Sequence, residues 1–295
     1  SVTGVQTCAL PICLGFGAFY DRFVLANTIN ALRYNGVNQK QYVVTNPDFF
    51  PTLPDSQSLE ALTSQQVIQT VSSNLKAPMV LQSAVTVERE LTKNTTLSMT
   101  YADSHGERML RSQDVNAPVL GTYVPGVAGS GTYPLGHPGG VFQMQSNGRY
   151  NQHQLLTNVN SRINGNISLA ASYALNKAMS DTDGVGTFPG NPYLLSGEYG
   201  PASTDVRHRA TVSGSLNTKW NVRFSPLLTV QSGAPFDITT GSDLYGTTLF
   251  NSRPGVATDT KRPGLVATSY GLLDPNPIPG EQILSRNYGR APGQI

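Results

Sequence analysis

The stretch MVLQSAVTVERELTKNTTLSMTY, Met79 to Tyr101, alternates apolar and polar residues on both sides of a short polar break at Lys93 and Asn94. Alternation with a period of two is typical of a β-strand that has one apolar and one polar face. The pattern stops at the break and restarts directly after it. The stretch therefore predicts a hairpin of two antiparallel strands.

Two further segments repeat this pattern. Residues 154–176 alternate on both sides of Asn164-Gly165, a dipeptide that favours the positive φ angles of a type I′ turn. Residues 210–225 form a third pair of alternating segments around a tight turn near residues 217–219. In all, seven strands are legible from the pattern of the sequence.

The connections between the hairpins are long and rich in Gly, Pro, Asn, Ser and Thr. They are predicted at about residues 24–77, 102–149, 177–205 and 234–280. Loops longer than about 12–15 residues are uncommon in compact domains. Short turns at one end and long extracellular loops at the other are the layout of an outer-membrane barrel. We therefore expect an all-β, antiparallel transmembrane β-barrel in the bacterial outer membrane. A soluble antiparallel sandwich with half-buried strands is the alternative.

The composition favours a membrane barrel over other classes. Charged residues make up 13% of the chain, against about 25% in typical soluble domains. The net charge of +2 gives no basic field, so nucleic acid is not an expected partner. The polar faces of the predicted strands are mostly uncharged, which suits a water-filled lumen better than a soluble surface.

The first thirteen residues differ from the rest of the chain in their expected origin. Residues 2–12, VTGVQTCALPI, resemble the translation of a widely used sequencing adapter, and such segments are excluded from fold reasoning. Cys8 lies inside this match and Cys13 at its junction, so we predict no disulfide and no thiolate metal site. We expect residues 1–13 to be adapter-derived and the N-terminal part of the native protein to be missing.

Three stretches resemble the barrel region of TonB-dependent outer-membrane receptors. They are GFGAFYDRF (Gly15–Phe23), SGEYGPASTDVRHRATVSGSL (Ser196–Leu216) and SGAPFDITTGSDLYGTTLFNSRPG (Ser232–Gly255). The similarity covers most of residues 14–295 and is to the large acidobacterial type, which carries a carboxypeptidase-regulatory-like domain at its N-terminus. Such receptors close a barrel of about 22 strands around a plug and take energy from the TonB complex through a short N-terminal box.

The resemblance implies that residues 14–295 form about a third of such a barrel, without its plug and TonB box. It implies TonB-dependent uptake of an unidentified ligand. The implied partners are outer-membrane lipid, an unknown extracellular ligand, and the TonB complex through the missing N-terminal region. A cell-surface structural or adhesive β-protein that binds a partner through its long loops is the alternative function.

An open stack of about seven strands leaves two edges of unpaired backbone groups. We therefore expect an open sheet with poorly packed loops. Closure as a small eight-stranded barrel, with one more strand near residues 282–288, is the alternative.

Charged residues on the polar faces are the candidate lumen residues. They are Glu88, Glu90, Arg162, Arg209 and Arg223. In a barrel, these side chains could line a transport path, contact the plug or pair with one another.

Aromatic residues on the apolar faces, near the predicted strand ends, are the candidate membrane-interface residues. They are Tyr101, Tyr173, Trp220 and Phe224. Aromatic girdles of this kind lie at the headgroup level of membrane barrels. Cross-strand packing inside a sandwich is the alternative interpretation.

No motif in the sequence points to catalysis, so we predict no enzyme, no catalytic residue and no cofactor. Many receptors of the resembled type have a loop rich in Asp and Asn after the PFxIxxG segment. Here Asp243 and Asn251 are kept, but Leu, Tyr and Thr occupy the other positions. Because calcium takes six to eight oxygen ligands, we predict no metal site there.

Overall fold

The computed structural model describes residues 11–23, 25–39, 41–43, 47–55, 57–58, 65–127 and 129–295. It contains helix α1 (Leu25–Arg33) and a 3₁₀ turn at Leu195–Glu198. The strands, in chain order, are β1 (Ile12–Tyr20), β2 (Gln41–Val43), β3 (Gln65–Val71), β4 (Met79–Thr92), β5 (Thr95–Asp114), β6 (Val141–Arg162), β7 (Ile167–Ser180), β8 (Gly200–Pro201), β9 (His208–Asn217), β10 (Arg223–Phe224), β11 (Leu227–Gln231), β12 (Pro235–Phe236), β13 (Gly255–Val256), β14 (Val266–Thr268), β15 (Gly271–Asp274), β16 (Gln282–Ile283) and β17 (Gly289–Arg290).

The large sheet is antiparallel along its main path, which runs in the order β1-β4-β5-β6-β7-β9-β10. β11 also pairs with β9, and β3 adds a short parallel pairing to the far end of β6. Among the described residues, the outer edge of β1 has no partner strand, and that of β11 is bridged only at Gln231, by Gln294. The predicted all-β, antiparallel and open sheet is confirmed. The strand at Gln282–Ile283 pairs with β13 and does not close the sheet.

The three predicted hairpins form, but one turn differs from its prediction. Four residues, 163–166, connect β6 to β7, and neither Asn164 nor Gly165 has a positive φ. The Asn164 side-chain oxygen accepts hydrogen bonds from the N–H groups of Asn166 and Ile167, at 2.8 and 3.0 Å. The predicted type I′ turn is therefore wrong, because the asparagine side chain supplies the turn that positive φ angles would otherwise provide.

Two strands are much longer than predicted. β5 has 20 residues and β6 has 22, whereas a strand needs about 9–11 residues to cross a membrane. The predicted loop at residues 102–149 is therefore wrong in its bounds, and the connection between the two strands is residues 115–140. The predicted loop at residues 24–77 also contains regular structure, namely α1, β2 and β3.

The membrane part of the sheet has the two faces that the alternation predicts. One cross-strand row carries Glu88, Ser98, Asn158, Ser172, Thr211 and Thr229. The next row carries Val87, Met99, Thr157, Tyr173, Ala210 and Val230. The apolar face is uncovered, and on β1 the side chains of Leu14 and Phe16 are each 78% exposed. A sheet with this bare apolar face is suited to lipid.

The buried core lies at the end of the sheet where the long connections are. The buried apolar residues are Val67, Ala117, Tyr133, Val141, Met144, Ala178, Ala202, Leu273 and Leu284. We call this region the loop-end cap: residues 115–140, 181–207 and 232–295 with the strand ends that they cover. The cap includes two small sheets, one of β12 and β17 and one of β13 to β16. The expectation of poorly packed loops is wrong, because a region that stands in water must bury its own apolar residues.

The N-terminal boundary also differs from its prediction. Ile12 and Cys13 lie in β1, where they pair with Val87 and Thr86 of β4. Residues 1–13 are predicted to be adapter-derived and outside the native fold, but these two positions form part of the sheet. Cys13 is exposed and is not in a disulfide. Cys8 and the rest of residues 1–10 lie outside the described residues.

Candidate functional site

The five candidate lumen residues all lie on the polar face of the sheet. Glu88 is opposite Ser98, and Arg162 is opposite Ser168. All five side chains are exposed. Within the described part of the chain, none of the five forms an ion pair, and Arg209 donates a hydrogen bond to Gln231 at 3.1 Å. The structure therefore does not bring these charges together as pairs.

Two of the four candidate interface aromatics form a repeated contact. Tyr101 and Tyr173 lie on the apolar face, and each hydroxyl lies within hydrogen-bond distance of a histidine Nδ1 on a neighbouring strand. The distances are 3.0 Å to His153 and 2.8 Å to His208, and both ring pairs are stacked. His153 also contacts the Asp103 carboxylate at 2.7 Å. These polar contacts mark the level at which the apolar face ends on the side of the cap.

The other two aromatics lie at the opposite end of the sheet. Phe224 pairs with Leu216 on the apolar face. Trp220 lies in the turn between β9 and β10 and is 84% exposed. The placement of Trp220 on a strand is therefore wrong. The Thr218 N–H and hydroxyl groups both donate to the Val222 carbonyl and close a turn over residues 218–222 before β10 begins.

The ends of β5 and β6 project beyond the level of the tyrosines. We call residues 106–114 and 141–150 the stalk. At about 3.3 Å per residue and a tilt near 45°, the stalk adds on the order of 20 Å beyond the membrane part. The connection 115–140 joins the two strands at the tip of this stalk. Other cap residues, such as Ser232 beside His208, lie at the level of the Tyr–His pairs.

Ion pairs between distant segments hold the cap together. Arg253 pairs with Glu198, and both side chains are almost fully buried. Arg253 also lies 3.9 Å from Asp237. The other pairs between separate segments are Arg290 with Asp205, Arg286 with Asp183, Arg262 with Asp274 and Glu281, and Arg111 with Asp181, and Arg207 pairs locally with Asp205. Burial opposes the ionisation of Asp183, but Arg286 and the hydrogen bonds from Ser203 and Asn287 outweigh it and lower the pKa of Asp183.

Asp114, at the tip of the stalk, anchors both ends of the connection 115–140. Its Oδ1 accepts hydrogen bonds from the N–H groups of Asn116 and Val141, each at 3.0 Å. Its Oδ2 is buried and has no hydrogen-bond partner in the described residues. Burial raises the pKa of Asp114 to about 6, although the two backbone hydrogen bonds oppose this shift.

Asp243 and Asn251 also have structural contacts. The Asp243 carboxylate accepts hydrogen bonds from the N–H groups of Tyr245, Thr247 and Thr248. The Asn251 side chain donates to the carbonyl groups of Phe188 and Pro189, at 3.1 and 3.3 Å. Both side chains thus fix the backbone of the cap. In the described residues, no three His, Cys, Asp or Glu side chains lie close enough together to hold a metal ion.

A cavity of about 300 Å³ opens between α1, β3, the tip of the stalk and the connection after β7. One part of its lining is apolar and is formed by Phe142, Met144, Val185 and Phe188. The rings of Phe142 and Phe188 lie 4.6 Å apart between centroids. The other part is polar and is formed by Asn27, Asn30, Gln69, Thr70 and Ser112. The sequence analysis missed this cavity, because these residues are spread over five separate segments.

A family model described as "Outer membrane beta barrel domain" matches residues 12–285, which is most of the chain. The chain belongs to this family. It is a β-barrel protein of the bacterial outer membrane, as predicted. None of the helices in the described ranges is long and apolar enough to span a membrane.

This outer-membrane β-barrel protein also resembles a solved structure. It is similar to the crystal structure of the outer membrane transporter YddB from Escherichia coli, with 10% sequence identity and a TM-score of 0.47. The match covers 76% of this chain and 26% of the transporter chain, so the chain spans about a quarter of the transporter's length. No curated protein matches the sequence.

Proposed function

We propose that this β-barrel protein is a TonB-dependent receptor that takes up a ligand across the outer membrane, and that it is not an enzyme. In this proposal the described sheet is part of a barrel wall, and further strands pair with the free edges of β1 and β11. Family membership supports the barrel. The resemblance of the Gly15–Phe23, Ser196–Leu216 and Ser232–Gly255 segments to TonB-dependent receptors supports the energy coupling.

The observation that carries the proposal is the polar face with its five exposed, unpaired charges. Charged side chains inside a small, dry barrel or between two packed sheets must be paired, because an unpaired buried charge costs several kcal/mol. Charges such as Glu88 and Arg162 are compatible with a wide, water-filled lumen or with contacts to a plug. The carboxylates and guanidinium groups therefore favour a large barrel of the transporting kind.

The layout of the turns gives the orientation of the proposed receptor. Barrels of this type have short turns on the periplasmic side and long loops outside the cell. The loop-end cap then faces the medium, and the Tyr–His pairs lie at the outer boundary of the membrane. The turns near Asn94 and Thr218 lie in the periplasm.

A binding experiment with TonB tests the energy coupling. The full-length receptor is mixed with the purified periplasmic domain of TonB, and the complex is measured by co-purification and by analytical ultracentrifugation. We expect a one-to-one complex that is lost when the N-terminal box of the receptor is deleted. An adhesive or structural surface protein, which is the other candidate, would bind no TonB in this assay, and that result would contradict the proposal.

A further inference from the structure

Helix α1 presents two amides to the cavity. Asn27 and Asn30 are half-buried and line it, while the apolar residues Leu25, Ile29 and Leu32 lie elsewhere on the helix. Both amides are therefore available to a molecule in the cavity.

The polar groups of the cavity have free hydrogen-bonding capacity. The Thr70 hydroxyl is buried and has no hydrogen-bond partner in the described residues. The side-chain amides of Asn27, Asn30 and Gln69 likewise make no hydrogen bond to another described residue. Each amide offers two donors and one acceptor oxygen, and the hydroxyl can donate or accept. Buried polar groups are normally paired, which makes the buried Thr70 hydroxyl the exception here. With the three half-buried amides beside it, this wall is suited to a ligand that supplies both donors and acceptors.

The charge and size of the cavity limit the class of ligand. No charged side chain of the described residues lines it, so none of these residues would offset the desolvation of an anionic or cationic ligand. Its volume of about 300 Å³ lies at the small end of the usual range for small-molecule sites, which is about 300–1,000 Å³. Phe142 and Phe188 provide an apolar wall opposite the amides. A sugar ring combines apolar C–H faces with a rim of hydroxyl groups and matches both walls.

We propose that this cavity binds a neutral mono- or disaccharide, with its C–H face against Phe142 and Phe188 and its hydroxyl groups on Asn27, Asn30, Gln69 and Thr70. This inference names the ligand class of the receptor, and its biological use rests on the proposed uptake function. Binding itself does not depend on TonB. The two proposals can therefore fail separately: sugar binding without TonB binding contradicts only the uptake proposal.

The test measures binding to the full-length receptor in a detergent that has no sugar headgroup. The probes are maltose, cellobiose and glucose, with digalacturonate as a charged saccharide and N-acetyl-alanyl-alanine amide as an uncharged peptide. Saturation-transfer NMR and calorimetry give the affinities. We expect binding of at least one neutral sugar and none of digalacturonate. Binding of the peptide but of no sugar, or no binding by any neutral sugar, would overturn the proposal.

Variants on α1 assign the binding to this cavity. The double variant Asn27→Ala/Asn30→Ala removes both amides, and because alanine is the best helix former it should keep α1 folded. We expect the sugar affinity to fall about tenfold or more, since two hydrogen-bonding groups are lost from the site. Thr28→Ala, an exposed position on the same helix, is the matched control and should leave the affinity unchanged. Equal affinities in the double variant and the control would overturn the assignment.

The variant Gln69→Ala keeps the test independent of the helix. Gln69 lines the cavity from β3, and its backbone N–H donates to the Tyr34 carbonyl at 2.8 Å. The substitution leaves this backbone bond in place and removes only the side-chain amide. We expect weaker sugar binding with an unchanged pattern of proteolysis in the cap. Unchanged binding would show that the amide wall does not contact the ligand.

Discussion

Removal of Arg253 should loosen the loop-end cap without disturbing the barrel wall. Arg253 and Glu198 have side-chain exposures of 4% and 3%, and they come from segments 55 residues apart. In Arg253→Ala the Glu198 carboxylate stays buried and keeps only the hydrogen bond from the Gly190 N–H, at 2.9 Å. Breaking a buried pair by removing one partner costs about 3–5 kcal/mol. Because about 1.4 kcal/mol corresponds to a factor of ten, the opening constant of the cap should rise by about 10²–10⁴-fold.

Hydrogen exchange with mass spectrometry measures this change on the full-length protein in detergent. We expect faster exchange in peptides from residues 186–200 and 245–256 and unchanged exchange in β4 and in residues 95–105 of β5. Arg209→Ala, which removes an exposed arginine from the sheet, is the matched control. It should change the free energy of cap opening by less than about 0.5 kcal/mol. The double variant Arg253→Met/Glu198→Leu should recover most of the protection, because an apolar pair often replaces a buried ion pair at little cost. Equal exchange in Arg253→Ala and Arg209→Ala would refute the argument.

Three further predictions follow from the geometry. A membrane-impermeant maleimide should label Leu194→Cys on intact cells but not Thr218→Cys, and equal labelling of both would contradict the orientation. Arg89 pairs with Leu97 on the apolar face. Glu88→Cys should therefore react with a water-soluble thiol reagent, whereas lipid should protect Arg89→Cys; reaction of Arg89→Cys alone would contradict this assignment of the two faces. Because burial raises the pKa of Asp114 to about 6, above an unfolded value of about 3.9, its contribution to cap stability should fall by about 2–3 kcal/mol as the pH rises from 4 to above 6. Proteolysis of the cap at pH 4.5 and 7.5 should reveal this difference between wild type and Asp114→Asn, and parallel pH profiles would refute it.

The membrane part of the fold could be predicted from the sequence because lipid and lumen impose a strict pattern on it. Most residues of 79–101 alternate in each strand, with Ser83 and Arg89 as exceptions on the apolar face, since the side chains that face lipid must be largely apolar. The stalk has no such pattern. Its residues 106–114, GERMLRSQD, carry no apolar stripe. A loop is therefore predicted there, although the backbone pairing with β6 continues to Asp114.

The cap and its cavity could not be predicted, for a different physical reason. Their contacts join residues that are far apart in the sequence, such as Glu198 with Arg253, and no local period or spacing records such a pair. The five charged residues share one face of the sheet because strand parity alone decides their side; that this face lines a lumen stays a prediction. Helix α1 lies inside a predicted long loop, since its short segment carries no acidic residue in its first turn that would mark the start of a helix.

The long-range ion pairs of the cap also set the order in which the protein can assemble. Asp183 and Arg286 are 103 residues apart, and Asp205 and Arg290 are 85 residues apart. Contacts with such large sequence separation form slowly, because a long loop must be closed before any stabilisation is gained. The local β4–β5 and β6–β7 hairpins can form early, whereas the cap cannot fold fully until the chain is present as far as Arg290. During biogenesis the sheet of the barrel wall would thus form first, and the cap would fold last.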